Sequence, residues 1–170
     1  NPLLNGVVKM PLPVWNSAFD PLYPPGLQWY WRGHFVKDVP DEALAVHARF
    51  GEMLPTMHST MHLYPVNGAV HDVGKNDTAF SYRDVNYSMV IVGVDPDPAN
   101  AQKVSDWTRS FSDAIKPYVA EGGYVNFMME EGAGRVKASY RDNYERLTHI
   151  KARYDPQNLF HVNQNIAPHA

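Results

Sequence analysis

The sequence predicts an α+β fold in which helices pack over one face of an antiparallel sheet. Runs rich in β-branched and aromatic residues recur at 27–36, 59–66 and 87–94, more strands than a helical bundle would need. One long amphipathic helix follows them, with Ala101, Val104, Trp107, Thr108, Phe111 and Ile115 on a single face. Fourteen prolines and 12% aromatic residues in a chain of 170 also favour strands and shaped loops.

The elements follow in order. Residues 1–26 are rich in proline and accommodate one short helix, Val14 to Phe19, before Pro24-Pro25-Gly26 breaks the chain. LQWYWRGHFV, residues 27–36, reads as a strand. Asp38 to Asp41 open a helix whose stripe of Ala43, Leu44, His47 and Phe50 runs to Met53. STMHLYPV and GAVHDV flank Asn67-Gly68 and predict a hairpin. Tyr87 to Val94 is a strand of the fully buried type. Asp97-Pro98 caps the long helix, which ends near Lys116-Pro117. YVNFMM, residues 124–129, predicts one more strand, and two short helices follow. The second of these carries Tyr144, Leu147, Ile150 and Lys151, and Asp155-Pro156 stops it, because a proline ring excludes the helical N–H.

Composition excludes several function classes. The chain is long enough for a real core, and 44% hydrophobic with 19% charged residues suits a globular domain. A net charge of −3 leaves no electrostatic footprint for nucleic acid or an anionic membrane. No apolar run approaches the roughly 20 residues of a membrane span. NPLLNGVVKM shows no charged leader before an apolar core, so a cytoplasmic location is the expectation, with secretion left open. Zero cysteines remove disulfides, thiolate nucleophiles and cysteine metal sites.

Few residue constellations point to chemistry on their own. His58 and His62 could share a metal on a helix, but on a strand they stand about 13 Å apart, and no HExxH occurs, so no metal is expected. There is no GxSxG elbow and no glycine-rich phosphate loop. Glu130-Glu131 most simply starts a helix. Trp29, Tyr30 and Trp31 alternate across a strand, two rings on one face and one on the other. Core packing is their default role, and the alternative is an aromatic wall of a ligand pocket beside Arg32 and His34.

The tail is harder to explain by packing. Asn158, Asn163, Gln164 and Asn165 interleave with Leu159, Phe160, Val162 and Ile166, a pattern suited to docking in a groove that offers hydrogen bonds. With PPGLQWYW at 24–31, TAFSYRD at 78–84 and YVNF at 124–127, the stretch NYERLTHIKARYDPQNLFHVNQNI at 143–166 resembles the berberine-bridge-enzyme-like FAD-linked oxidases. That resemblance implies a two-domain flavoenzyme that passes a hydride from an organic substrate to flavin. It assigns residues 1–139 to the substrate-binding domain and 140–170 to the C-terminal berberine-bridge element, with no counterpart here of the N-terminal FAD-binding domain. The chain would then be a piece of a longer protein, inactive alone, with that FAD-binding domain and a small organic substrate as partners and a homodimer possible. Tyr124, Asn126, Asn163 and Gln164 match positions near the FAD or the interdomain contact.

Two departures weaken the family's catalytic base. Phe127 stands where many alcohol and sugar oxidases carry a tyrosine, and Met89 or Val90 stands where relatives carry a polar side chain. The base is therefore unassigned, with Tyr30, Tyr82, Arg83, Tyr87, His58 and His62 as weak candidates, and the apolar replacements lean towards a hydrophobic or aromatic substrate. A non-catalytic binding or dimerisation module on the same fold is the rival reading. Residues 157–170 are expected to be disordered or folded against a neighbour.

Overall fold

The computed structural model describes residues 6–18 and 20–169. Its centre is a three-stranded antiparallel sheet in the order β1-β3-β2, formed by β1 (Gln28–Val36), β2 (Thr60–Pro65) and β3 (Tyr87–Asp95). The helices are α1 (Leu12–Ser17), α2 (Asp41–Glu52), α3 (Ala101–Ile115), α4 (Ala133–Tyr140) and α5 (Asn143–Tyr154). The expected 139/140 boundary falls within α4.

Period-two alternation gives the sheet two different faces. Met89 and Ile91 of β3 are completely buried beneath α2 and α3, with Phe50, Trp107, Phe111 and Ile115. Stacking of Phe50 on Phe111, with ring centroids 4.6 Å apart, ties the two helices together. Gly93 makes this approach possible: a Cβ there would lie 2.5 Å from the Val104 carbonyl oxygen. The opposite face carries Val90 and Val92, with Trp29 and Trp31 beside them.

Several local expectations are corrected. The first helix begins at Leu12 rather than Val14, because Pro11 and Pro13 fit its first turn; Phe19 lies outside the described residues. Asp97 accepts a hydrogen bond from Ala99 N at 2.9 Å, but it caps a 3₁₀ turn (Pro98–Asn100) that leads into α3. GAVHDV is no strand. Gly68 takes φ +64° into a 3₁₀ turn (Gly68–Val70), and β2 pairs instead with β3, extended by Val66 N to Asn86 O at 2.9 Å. A long-range partner displaced the local hairpin.

YVNFMM is not a strand either; it forms a 3₁₀ turn (Val125–Phe127). The outer edge of β1 has no free ladder for it. Ala120 N donates to Phe35 O and Phe35 N to Gly122 O, Arg135 occupies Gly33 O, and Trp31 N donates to Met129 Sδ.

The tail is not left loose. Asp155 ends α5, accepts from Leu159 N at 2.7 Å and Phe160 N at 3.0 Å, and pairs with Lys151 Nζ at 2.5 Å. Asn158 sits at φ +53°, a conformation asparagine tolerates better than most residues. The chain then runs back until His169 N donates to Thr148 O at 3.1 Å. Part of the tail docks on this chain itself, with Gln164 Nε2 donating to Met128 O and Met129 O. Leu159, Phe160 and Val162 remain outside that contact, each more than 70% exposed.

Candidate functional site

On the face away from α2 and α3, the strand register sets Gly33, Val90 and His62 in one row and Trp31, Val92 and Thr60 in the next. Gly33 leaves a gap that Phe127 fills; a Cβ at Gly33 would lie 2.9 Å from both the Phe127 Cβ and its carbonyl oxygen. Trp29, Trp31, Tyr64, Val90, Val92 and Phe127 thus wall a cavity of about 270 Å³, with Tyr23, His62 and Asn126 also lining it. The rings brace one another: Tyr64 lies 5.5 Å from Phe127, Tyr23 5.7 Å from Trp29, and His62 stacks on Tyr64 at 5.6 Å.

Two groups of β2 in this groove can exchange protons. Partial burial lowers the pKa of His62, which keeps the imidazole neutral at pH 7. Burial, then the neighbouring Tyr23, raises the pKa of Tyr64, which stays a protonated phenol. The groove therefore holds a neutral base and a hydroxyl donor two residues apart on one strand.

A second cavity, of about 460 Å³, is lined by Val125, Asn126, Met128, Tyr140, Val162, Asn163 and Gln164. It brings together three of the four residues assigned to the cofactor. Asn126 lines both cavities and donates from Nδ2 to Tyr124 Oη at 2.8 Å, which adds the fourth. Gln164 spends its amide N–H groups on the chain itself, donating to Met128 O at 3.0 Å and Met129 O at 3.1 Å. Asn163 turns the tail at φ +59°.

The other candidates lie elsewhere. Tyr30 points to the helix side, its ring between the Arg32 and Arg109 guanidinium groups at 4.7 and 4.8 Å. Tyr82 is buried; its hydroxyl donates to Ala138 O and accepts from Gly122 N, both at 2.9 Å. Arg83 holds the carbonyls of Phe80 and Val70. Tyr87 packs against the helix-side core. His58 is exposed in the turn before β2, and only His62 reaches the groove. Of the two alternatives in β3, Val90 lines the groove and Met89 is buried on the other side.

Tyr64 was missing from the sequence candidates. The signal was available in the His62-x-Tyr64 alternation, but assigning its face required the pairing with β3.

A separate polar cavity, about 350 Å³, opens on the helix side between Arg32, His34, Arg109, Ser112, Asp113, Lys116, Glu131 and Arg135. Burial, and then the Arg135, Lys116 and Arg32 charges, lower the His34 pKa to about 3, against the opposing pull of Asp113. Arg135 can only donate, so His34 Nδ1 accepts from it at 3.2 Å and Nε2–H donates to Ser112 Oγ at 2.9 Å.

Residues 123–167 match the family model described as berberine and berberine-like. An FAD-linked oxidoreductase of Dictyostelium discoideum is 25% identical over 175 residues, covering 98% of this chain and 37% of the relative. Berberine bridge enzyme-like 9 of Arabidopsis thaliana is 26% identical, covering 75% of this chain and 27% of the relative. The chain is thus similar to the berberine-bridge-enzyme-like FAD-linked oxidoreductases along most of its length.

Solved structures share the fold of this chain. A glycopeptide hexose oxidase complexed with teicoplanin superposes with a TM-score of 0.75 at 21% identity, over 82% of this chain and 32% of that one. Berberine bridge enzyme from Eschscholzia californica gives 0.73 at 22%, over 84% and 33%. The chain spans about a third of the length of the relatives it matches. Among its described residues no helix is long and apolar enough to cross a membrane.

Proposed function

We propose that this chain is the substrate-side wall of an FAD-dependent oxidoreductase, and that the groove over β1-β3-β2 receives a flat, largely apolar organic substrate. The observation that carries the reading is the aromatic groove meeting the tail cavity at Asn126. The floor suits a planar ring system, since Trp29, Trp31 and Phe127 offer faces and edges while Asn126 and Tyr124 offer polar contacts at one side. Among the described residues lining the two cavities there is no lysine or arginine. The donor set therefore fits the ring end of FAD and leaves its pyrophosphate to be held by an FAD-binding domain. Val162, which lines the tail cavity, and Leu159 and Phe160 just before it in the chain are exposed and give such a domain an apolar surface to cover.

FAD, when bound, supplies the acceptor for a hydride from a substrate C–H bond. The chain's own residues would orient the substrate, exclude water and move one proton. Trp29, Trp31 and Phe127 hold its apolar body against the sheet. His62, kept neutral by burial, would take the proton of the substrate O–H or N–H as the C–H bond gives up its hydride, leaving a C=O or C=N product. Tyr64 keeps its own proton and can donate a hydrogen bond to a substrate oxygen or nitrogen.

The test is flavin reduction in the protein that carries both this chain and an FAD-binding domain, followed anaerobically with aromatic alcohols and amines. His62→Gln should slow reduction about 100-fold or more with FAD still bound, and Asn126→Ala should weaken FAD retention. Val90 and Phe127, apolar in the groove, favour a second reading as a non-catalytic binding module. Substrates that bind without ever reducing the flavin would establish that reading instead.

A further inference from the structure

We infer that Glu145, His149 and His169 form a surface site for a divalent transition metal of the zinc class, which staples the tail to α5. Helical spacing places Glu145 and His149 on one face of α5, four residues apart. The third ligand arrives from twenty residues further along, because the Asp155 turn reverses the chain and His169 N bonds to Thr148 O beside His149. Both imidazole Nε2 atoms turn towards one carboxylate oxygen: His149 Nε2 lies 3.4 Å and His169 Nε2 3.3 Å from Glu145 Oε1. The two rings are stacked, with centroids 4.1 Å apart.

The spacing matches metal coordination. Bonds of about 2.1 Å from zinc to nitrogen or oxygen place tetrahedral ligand atoms roughly 3.4 Å apart. All three ligand atoms lie within 4.8 Å of one another, so a small adjustment of exposed side chains closes the shell. Two imidazoles and one carboxylate suit zinc, copper and nickel rather than calcium or magnesium, which prefer all-oxygen shells. Solvent supplies the remaining positions. Among the described residues this is the one trio of histidine and acidic side chains close enough to share an ion, and neither His58 nor His62 belongs to it. The inference is independent of flavin chemistry, since none of the three residues lines either groove cavity.

The experiment is calorimetric titration of the purified chain with zinc, alongside His149→Ala, His169→Ala and a His58→Ala control. All three substituted side chains are exposed, so the variants retain the fold. One zinc per chain should bind with micromolar affinity, weakened at least tenfold by either ligand substitution and unchanged by His58→Ala. Bound zinc should also slow chymotryptic cleavage after Phe160 in the parent chain and not in His169→Ala. Absence of saturable binding, or equal binding by all variants, would overturn the site.

Discussion

Asp155 accounts for much of the tail motif at the level of single residues. Its carboxylate gathers Lys151 and two backbone N–H groups, while Asn158 supplies the left-handed turn that the return path needs. The signature is therefore largely turn chemistry, and Asp155→Ala should release the tail, measured as faster chymotryptic cleavage after Phe160 with an unchanged α-helical spectrum. Tyr82 is also structural. Tyr82→Phe leaves Gly122 N and Ala138 O without their shared partner, and should cost about 1–3 kcal/mol in chemical denaturation. His34 controls acid stability. Its native pKa near 3 lies below the ordinary 6.5, so the unfolded chain binds a proton that the native state refuses. Stability is fully present above pH 6.5 and falls by about 1.4 kcal/mol per pH unit as pH drops towards 3. His34→Gln should remove that component, seen as a shallower fall in unfolding free energy between pH 6 and 4.5. Depressed pKa values at His47 and His62 contribute equally to both proteins, and the difference isolates His34.

Among the elements, α3 and β3 form the mechanical centre. Gly93 lets the helix backbone approach the strand, and Gly93→Ala forces the Cβ against the Val104 carbonyl. A loss of about 1–3 kcal/mol is expected, with a lower thermal midpoint as the readout. Phe111→Ala empties the site between Phe50 and Trp107 and should cost about 3–5 kcal/mol. These elements were legible in sequence because a long stripe of period 3.6 and a run of β-branched residues have few alternative readings. The hairpin at Asn67-Gly68 and the strand at 124–129 were misread for a shared reason. Their local propensities were genuine, but β3 already paired with β2, and side chains already held the outer edge of β1.

For the whole molecule, the groove is where the fold bears on the proposed reaction. If His62 takes the substrate proton, kcat/KM should fall on the acid side below pH 6.5, because burial lowers its pKa, and His62→Gln should lose that limb. The tail residues join this region through Gln164, which ties the tail to the segment carrying Asn126 and Phe127. The sequence by itself determined the helices, the three strands, the family resemblance and the set of residues from which a site could be built. Tertiary structure decided which of those residues meet. Strand alternation says that Trp29 and Trp31 share a face and that Tyr30 does not, but only the pairing of β1 and β2 with β3 assigns that face to the groove. It placed Val90 and His62 in one row, turned Tyr30 towards α3, and brought His169 back to His149. The physical reason is range: propensity and periodicity act over a few residues, whereas register and chain reversal are fixed by partners tens of residues away.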